Sequence, residues 1–581
     1  MATQRTFPTS GVLRRPPIRP VDLLVGAGII GLLYGILRLS RSLSVAFVPG
    51  KTKVSLPTGM SDLPYYAAES LFRMLVALAV STVFTFLFAT AAARLRRAEK
   101  VLVPLLDILQ SVPILGFLTF TVVFFVRLFR GSLLGLECAS IFAVFTSQAW
   151  NMTFSFYHSL ISQPSDLDEA ARMYRLTKWQ RFWKLDVPSS MIGLVWNAMM
   201  SMGGGWFFLT LSEAITVGSH AYTLPGMGSY IGAAIQEGSI SKVCIAIAGM
   251  ITMVIGLNVL LFRPLVAWAE KFRLETSESG DKPRSVVLDL LRRSAIPRTA
   301  MRVLRPVGRL LDRITRPFGL AEYPLAPNLR RRRAGDVAYL ALITSIVAWG
   351  AWLGLSFIGH KVGFSTFPYV FGLGAVTFAR VIVVVVVSSL IWVPVGVTIG
   401  LSPSLARFAQ PIVQILASFP ANLLFPFAVI VFIELNIPLN IGGIVLMALG
   451  AQWYILFNTI AGAIAIPNDL REMAASLRLT RSQRWHRLIL PAIFPAYVTG
   501  GITAAGGAWN ASIVAEVAGW GSHHLTATGL GAYIADAAAS SNSDHFARVL
   551  IGVVVMSGFV VGVNRLFWRR LYRLAEMRYS L

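Results

Sequence analysis

The chain has 581 residues, of which 55% are hydrophobic and only 14% are charged. A soluble domain carries about 25% charged residues, so this composition excludes a soluble enzyme, a disordered regulator and a disulfide-rich secreted scaffold. The formal net charge of +25 does not indicate a nucleic-acid partner, because the Lys and Arg residues lie between and beside apolar runs, as they do in cytoplasmic membrane loops. The composition predicts a helical membrane protein that crosses the lipid bilayer several times.

Apolar runs of about 20 residues, the length that crosses a bilayer, recur along both halves of the chain. In the first half the predicted spans are 21–38, 70–93, 101–129, 133–160, 189–217 and 242–263. In the second half they are 337–359, 372–400, 410–434, 437–463, 494–518 and 547–567. The predicted fold is therefore all-α, with about twelve transmembrane helices.

Basic segments indicate the orientation. The N-terminal arginines, the turn at 94–97, the mid-chain linker and the C-terminal arginines all fall on one side of the predicted spans, which the positive-inside rule places in the cytoplasm. No small-residue cleavage site follows the N-terminal arginines, which favours an uncleaved anchor. The predicted domains are a first half over 1–265, a basic cytoplasmic linker over 266–335 and a second half over 336–581. An apolar and basic stretch of the linker, 286–316, either lies on the inner leaflet or is a plain connector.

The second half repeats the sequence pattern of the first. The segment 164–188 matches 467–491 at a constant offset of 303 positions, and a segment ending at Pro113 matches one ending at Pro420 at an offset of 307. Both halves contain an even number of predicted spans, so the repeat is parallel about an axis along the membrane normal. The pattern predicts two halves that face each other across a central path. Further matched pairs are Trp206/Trp509, Glu213/Glu516, His220/His523, Gly226/Gly529 and Gly228/Gly531.

The matched segments 164–188 and 467–491 are predicted cytoplasmic loops between the fourth and fifth spans. Most connections in compact domains are far shorter than about 25 residues, which indicates that these loops have a function. Their spacing of Glu-x-Ala, Arg-Leu-Thr and a later Leu-Pro or Val-Pro pair resembles the EAA loop of permease subunits of ATP-binding-cassette importers. In that family the loop forms a coupling helix that docks on a cytoplasmic ATPase. The resemblance assigns ATPase coupling to Glu169, Ala170, Ala171, Arg175, Leu176, Glu472, Ala474, Arg478 and Leu479.

Both loops depart from the family pattern at the same point. After Glu-Ala-Ala and three further residues the family carries a Gly, whereas this chain has Arg175 in one loop and Arg478 in the other. Because the two halves depart identically, we expect the docking groove on the partner to be differently shaped or more acidic than is usual.

The Gly-Gly-x-Trp run, the Glu seven residues after that Trp and the later Gly-x-Gly-x-Tyr-Ile stretch resemble the nitrate, sulfonate, taurine and bicarbonate branch of the family, here duplicated and fused. The resemblance implies the type I ABC importer transmembrane fold in a bacterial inner membrane. It further implies two separate ATPase subunits that bind ATP and Mg, and a periplasmic or lipid-anchored binding protein. The implied substrate is a small anion such as nitrate, bicarbonate or a sulfonate.

Several matched residues are candidates for the transport path. Ionisable residues within spans normally face the protein interior or a wet cavity, so Glu213 and Glu516 are either a gate or pathway pair, or helix-end carboxylates bonded to the backbone. Trp206 and Trp509 either line a cavity or pack in the core. His220 and His523 fall in an outer loop, where they either bind a metal, sense pH or are ordinary loop histidines. Two further ionisable residues near spans, Asp107 and Arg380, lack partners at the repeat offset and are set aside.

The chain contains no phosphate-loop motif of the G-x-x-x-x-G-K-[ST] type. It also contains no metal-ligand spacing and no nucleophile elbow, so we expect no catalytic residues, no metal and no cofactor of its own. ATP hydrolysis is expected in a partner chain, and this chain is predicted to be a transport subunit rather than an enzyme.

Three alternatives remain open at this point. An iron(III) importer shares the EAA loop and is the nearest rival. A secondary transporter with two six-span halves, driven by an ion gradient, gives no reason for duplicated EAA loops. A membrane scaffold or sensor would use the linker for its interactions and would tolerate loss of Glu169 and Glu472.

Overall fold

The computed structural model describes residues 21–23, 25–27, 30, 57–217, 220–272, 285–294, 296–315 and 329–579. Most of the predicted first span, 21–38, therefore lies outside the described residues.

Within the described residues, the first half consists of helices and one short hairpin. Its elements are α1 (Leu63–Arg94), α2 (Arg96–Ser111), α3 (Ile114–Leu128), α4 (Leu134–Ile161), α5 (Ser165–Met173), α6 (Lys178–Arg181), α7 (Val187–Ser212), β1 (Ala214–Val217), β2 (His220–Thr223), α8 (Met227–Gln236), α9 (Ile240–Leu257) and α10 (Arg263–Ala269). Two linker helices follow, α11 (Val286–Arg293) and α12 (Ile296–Thr315).

The second half repeats this order. Its elements are α13 (Leu329–Lys361), α14 (Thr366–Leu401), α15 (Pro403–Ser418), α16 (Phe425–Glu434), α17 (Leu439–Ile464), α18 (Asn468–Ser476), α19 (Arg481–Arg484), α20 (Leu490–Ala515), β3 (Val517–Trp520), β4 (His523–Thr526), α21 (Leu530–Ala539), α22 (His545–Val563) and α23 (Arg569–Tyr579).

Helices long and apolar enough to cross a membrane occur in both halves. Within the described residues there are eight: Met60–Arg94, Lys178–Ser212, Ile240–Phe272, Asp336–Lys361, Thr366–Leu401, Leu439–Ile464, Arg481–Ala515 and His545–Ala575. Two bent helix pairs raise the number to ten if each counts as one span. The 28-residue helix α4 occupies the predicted fourth span but is too polar to count among these eight helices. The all-α membrane fold is confirmed, while the expected number of twelve spans is not.

The bent pairs correct two predicted spans. The segment 101–129 is expected as one continuous span but consists of α2 and α3, which meet at 102°. The segment 410–434 consists of α15 and α16, bent by 87°. Each bend precedes the matched proline, Pro113 or Pro420. A proline disfavours the helical conformation of the residue before it, and Val112 and Phe419 have ψ angles of 125° and 133°.

A two-stranded antiparallel hairpin follows the helix of the fifth span in each half, α7 or α20, and the sequence analysis did not predict this element. In the first hairpin Val217 pairs with His220, and in the second Trp520 pairs with His523. The matched histidines thus begin the second strand of each hairpin.

The chain divides into two compact units. The smaller consists of Met1–Arg38, Pro164–Ile192 and Asn258–Tyr323, and the larger of Leu39–Gln163, Gly193–Leu257 and Pro324–Leu581. In the smaller unit α12 contacts α6, and the hydroxyl of Ser294 donates to Asp22 over 2.7 Å.

The larger unit contains the main apolar core. Long helices α14, α17 and α20 pack on one another in the second half, and α1 packs on α4 in the first. Met447, Ala451 and Ala508 are fully buried at the centre of this packing. The core thus holds matched helices of both halves in one unit.

Candidate functional site

A buried arginine joins three helices at one end of the first half. Arg73 on α1 is fully buried, and its Nε and Nη2 atoms donate to Glu137 on α4 over 2.5 and 2.7 Å. Its Nη1 donates to Glu213, directly after α7, over 2.8 Å and to the carbonyl of Pro225 over 2.8 Å. The Ser70 hydroxyl donates to Glu213 over 2.6 Å. Removing one partner of a buried ion pair leaves an uncompensated charge in the interior. The cluster therefore holds α1, α4 and the loop after α7 together.

The matched glycines are explained by the same cluster. The carboxylate of Glu213 accepts the backbone N–H of Gly228 over 2.7 Å, and a Cβ atom at Gly226 would overlap that carboxylate. In the second half Glu516 accepts the N–H of Gly531 over 2.7 Å, and a Cβ atom at Gly529 would overlap it in the same way. The loop before α8 and α21 therefore crosses directly over a buried glutamate, which only glycine permits.

The second half contains the matching arginine. Arg380 on α14 donates through Nη1 to Glu516 over 2.7 Å and through Nη2 to Asn440 over 2.9 Å. The Thr377 hydroxyl donates to Glu516 over 2.8 Å. Setting Arg380 aside for lack of a repeat partner was wrong. Its counterpart is Arg73, 307 positions earlier, whereas the residue 303 positions earlier is Ala77.

The two clusters differ in charge. Arg73 lies within ion-pair distance of Glu69, Glu137 and Glu213. At the position matching Glu137 the second half has Asn440, and Arg380 pairs with Glu516. The first half therefore buries two more carboxylates beside its arginine than the second. The other residue that the sequence analysis set aside is Asp107. Its carboxylate accepts a hydrogen bond from Arg569 on α23, which is a contact between the two halves.

The two tryptophans that the sequence analysis expects either to line a cavity or to pack in the core are both buried. Trp206 and Trp509 expose 1% and 2% of their surface. The Trp509 ring stacks on Phe378, with centroids 6.3 Å apart and an 8° interplanar angle, and its centroid lies 6.1 Å from that of Phe559. Aromatic packing of this kind fixes the position of α20, and a pathway role for the tryptophans stays a proposal.

Contacts between the halves follow the pseudo-symmetry. The Ile114 N–H, at the start of α3, donates to the Asn510 side chain on α20 over 2.9 Å. In the opposite direction Asn422, between α15 and α16, donates to Thr210 on α7 over 2.9 Å. The chain just after each helix bend therefore contacts the fifth-span helix of the other half.

A small cavity lies between the halves next to these contacts. Its lining includes Met199 and Met200 from α7, Gln414 and Ser418 from α15, and Tyr454 from α17. The sequence analysis missed these residues, although Ser418 belongs to the matched segment that ends at Pro420. This segment was the signal that could have identified the contact surface between the halves.

Each predicted coupling loop is a helix, a tight turn and a second helix. In the first loop, Leu176 donates its N–H to the Ala171 carbonyl over 3.1 Å and Arg175 donates to Arg172 over 2.9 Å. This bonding is the Schellman C-cap, whose C′ residue adopts the left-handed conformation and is usually Gly. Arg175 occupies that position with φ of 47°. A left-handed conformation costs a non-glycine residue about 1–2 kcal/mol.

The second loop repeats this geometry. Leu479 donates to the Ala474 carbonyl over 3.1 Å, and Arg478 has φ of 49°. The next helix of each loop begins with a reciprocal capping box, Thr177 with Gln180 and Thr480 with Gln483. Capping boxes and C-caps satisfy the free backbone groups at helix ends. Both loops are therefore turns whose conformation is fixed by hydrogen-bonded caps on both sides.

Large apolar side chains are exposed on these turns. Met173 and Tyr174 expose 85% and 80% of their surface, and Met473 and Leu477 expose 51% and 65%. Glu169 and Glu472 are also exposed, while Ala171 and Ala474 are buried beneath them. Apolar groups grouped with charges at the surface are typical of protein interaction sites.

The two loops differ in their internal ion pairs. In the first loop Arg181 is buried, donates to Asp168 and lies 3.6 Å from Asp186. In the second loop the positions matching the two aspartates carry Arg471 and Ile489. Arg484, the counterpart of Arg181, is exposed. The second loop therefore presents more positive charge to solvent than the first.

The remaining predicted site residues are those of the outer segment. His523 is exposed at the start of β4, and His220 begins β2. Among the residues that the structure describes, no group of three His, Cys, Asp or Glu side chains is placed to hold a metal ion.

Comparison with known proteins places the two halves in one family. Residues 67–270 and 392–573 match the family described as binding-protein-dependent transport system inner membrane component. The chain is 30% identical over 179 residues to the bicarbonate transport system permease protein CmpB of Synechococcus elongatus, covering 31% of this chain and 60% of that protein. It is 29% identical over 195 residues to the nitrate import permease protein NrtB of Synechocystis, covering 33% of this chain and 66% of the relative.

A third relative is the putative aliphatic sulfonates transport permease protein SsuC of Bacillus subtilis, 29% identical over 184 residues, with 31% of this chain and 63% of the relative covered. The matched regions thus span about 60% of the length of these curated relatives.

Proposed function

Since the chain belongs to the family of binding-protein-dependent transport system inner membrane components, we propose that it forms the membrane path of an ATP-driven importer for a small anion. The observation that carries this proposal is the pair of capped turns, one in each half, with the same C-cap, the same capping box and an exposed apolar residue, Tyr174 or Leu477, directly before the arginine. A chain that only had to cross the bilayer would not need two such turns.

In this proposal each turn docks on one ATPase subunit, which binds ATP and Mg. Glu169 and Glu472 contact the ATPase, and the buried Ala171 and Ala474 let each short helix pack closely against its own loop. A binding protein, periplasmic or lipid-anchored, delivers the substrate at the opposite side of the inner membrane. Both termini and the linker lie in the cytoplasm.

The anionic substrate class is supported by the relatives, whose names specify bicarbonate, nitrate and sulfonates. Glu213 and Glu516 are fully buried and paired with arginines, which does not suit direct contact with an anion. We assign them to gating, because each couples a long helix to the loop that leads into α8 or α21. The path itself runs between α7 and α15, where the two halves meet.

The experiment is purification of the chain from its native membrane in mild detergent, with mass spectrometry of the proteins that accompany it. We expect about two copies of a phosphate-loop ATPase per chain, and their loss from a variant carrying Glu169→Lys and Glu472→Lys. Glu434→Lys is the matched control, because Glu434 is an exposed carboxylate outside both loops. A chain that arrives alone and moves anions in liposomes under an ion gradient, without ATP, would contradict the proposal and support a secondary transporter.

A further inference from the structure

Two arginines adopt a backbone conformation that arginine ordinarily avoids. Among the described residues, Arg175, Arg478 and Asn436 are the non-glycine residues with positive φ, at 47°, 49° and 52°. Asn enters the left-handed region several times more often than most residues. Arginine has no such preference, and here it occupies this conformation at both matched turns.

The conformation is imposed by the hydrogen bonds around each arginine. In both turns the residue after the arginine donates its N–H back to the buried alanine of the preceding helix, Leu176 to Ala171 and Leu479 to Ala474. Gly is the residue that satisfies this C-cap without steric cost. An arginine at each turn therefore makes the fold of the loop less favourable, and packing within the loop gives no reason for it.

The two arginine side chains have no polar partner among the described residues. Arg175 and Arg478 are both exposed, and neither side chain forms a hydrogen bond or an ion pair with any residue that the structure describes. Arg181, six residues after Arg175, shows the contrast, because it is buried against Asp168 and Asp186. Strained residues held in place by their surroundings cluster at binding and switch sites.

Each of the two arginine side chains lies next to an apolar residue in the sequence. Tyr174 and Leu477, which directly precede the two arginines, are exposed, so each turn presents an apolar side chain beside a guanidinium group. Arginine suits this position because its planar donors pair with both oxygens of a carboxylate. When such a pair is shielded by apolar contacts it is stronger than an exposed one.

We infer that Arg175 and Arg478 each form an ion pair with a carboxylate of the ATPase subunit docked on that loop, next to an apolar pocket that accepts Tyr174 or Leu477. This contact rests on the proposed function, since it names the chemistry of the partner at the same loops. The strain at the two turns is retained because the ion pair exists only in the assembled transporter.

The test compares three double variants of the full chain in nanodiscs, titrated with the ATPase that accompanies the wild type. Arg175→Gly with Arg478→Gly removes the charge and relieves the strain. Arg175→Lys with Arg478→Lys keeps both. Lys178→Gln with Arg481→Gln removes the same charge from exposed neighbours at ordinary helical positions.

For the Gly pair we expect ATPase binding on the order of tenfold weaker at low salt, a smaller loss of binding as salt rises, and a melting temperature of the chain alone that is no lower than that of the wild type. The Lys pair retains most of the binding and its salt dependence, and the Gln pair binds as the wild type does. This combination separates a docking contact from a structural role, which would lower the melting temperature.

Two results would overturn the inference in different ways. If the Gly pair binds the ATPase with unchanged affinity and salt dependence, the ion pair is refuted while the importer proposal stands. If the wild-type chain retains no ATPase at all, the proposed function fails and the contact fails with it.

Discussion

Arg73 and Arg380 occupy the same place in the two halves but have different surroundings. Arg73 is enclosed by Glu69, Glu137 and Glu213, whereas Arg380 pairs with Glu516 and donates to the neutral Asn440. A buried charge is costly unless it is paired and hydrogen-bonded. The first half therefore depends on its arginine to compensate more negative charge than the second half does.

Replacing each arginine by glutamine tests this difference within one chain. Breaking a buried pair by removing one partner costs about 3–5 kcal/mol, so we expect Arg73→Gln and Arg380→Gln both to lower the melting temperature of the detergent-solubilised protein. The loss should be larger for Arg73→Gln, because it leaves three carboxylates uncompensated. Equal losses would contradict the larger stabilising role that the structure gives to the arginine of the first half.

At the scale of single elements, the sequence predicts the positions of helices and loops best where apolar runs and the internal repeat agree. The long helices such as α14 and α17 fall where apolar runs predict them, and the two loops fall where the repeat predicts them. The bends between α2 and α3 and between α15 and α16 were missed, because an apolar run continues through Pro113 and Pro420 and its length alone suggests one span. The partner of Arg380 was missed because an insertion changes the repeat offset from 303 to 307.

The sequence does not reveal which residues of separate elements lie next to each other in the fold. Neither the glutamate beneath Gly226 nor the buried Arg181 can be inferred from spacing, since both depend on how the chain folds back on itself. Matched glycines and charges indicate that a position is constrained, and the structure is needed to show which atom constrains it.

The two matched loops, 164–188 and 467–491, should differ in their local stability. In the first loop Arg181 bridges Asp168 and Asp186. In the second loop the positions that match these aspartates carry no carboxylate, so Arg484 has no such bridge. We expect Arg181→Gln to speed hydrogen exchange of the backbone amides from Ser165 to Asp186, because the ion pairs that join the two helices of the loop are lost. Arg484→Gln should leave exchange in the second loop unchanged. Hydrogen exchange followed by mass spectrometry measures both loops in one sample, and equal responses would show that the bridge does not stabilise the first loop.

At the scale of the whole chain, the family match covers both halves and the contacts between them are reciprocal. Ile114 contacts Asn510, and Asn422 contacts Thr210. The halves approach closely at Gly203, where an added Cβ atom would lie 3.2 Å from the Cβ atom of Ser418. The two halves therefore meet through α7 and α15 with no room for a larger side chain.

A disulfide at this point tests whether transport needs the halves to move apart. In a chain whose two cysteines, Cys138 and Cys244, are replaced by alanine, Gly203→Cys with Ser418→Cys places two Cβ atoms close to the separation of about 3.5–4.5 Å that a disulfide needs. We expect oxidation to cross-link the halves and to reduce ATP-dependent uptake to background, with recovery after reduction.

The matched control moves one cysteine by a single position. For Gly204→Cys with Ser418→Cys, a Cβ atom at Gly204 lies 3.5 Å from the Tyr454 hydroxyl and has no other neighbour within 4 Å. This pair should form no disulfide. Cross-linking is read on gels after cleavage at a protease site inserted into the linker. Full uptake by the cross-linked Gly203 and Ser418 pair would show that α7 and α15 stay together during transport.

The unequal loops have an evolutionary consequence. In a dimer of identical six-span subunits, any mutation in the gene changes both turns at once, and both subunits must tolerate it together. Here both turns are encoded in one reading frame, so a mutation changes one turn and leaves the other as it was. The aspartate bridge of the first loop and the Arg471 and Ile489 that stand in its place in the second are a difference that a dimer of identical subunits cannot inherit. Fusion allows each side of the transporter to specialise without a second gene.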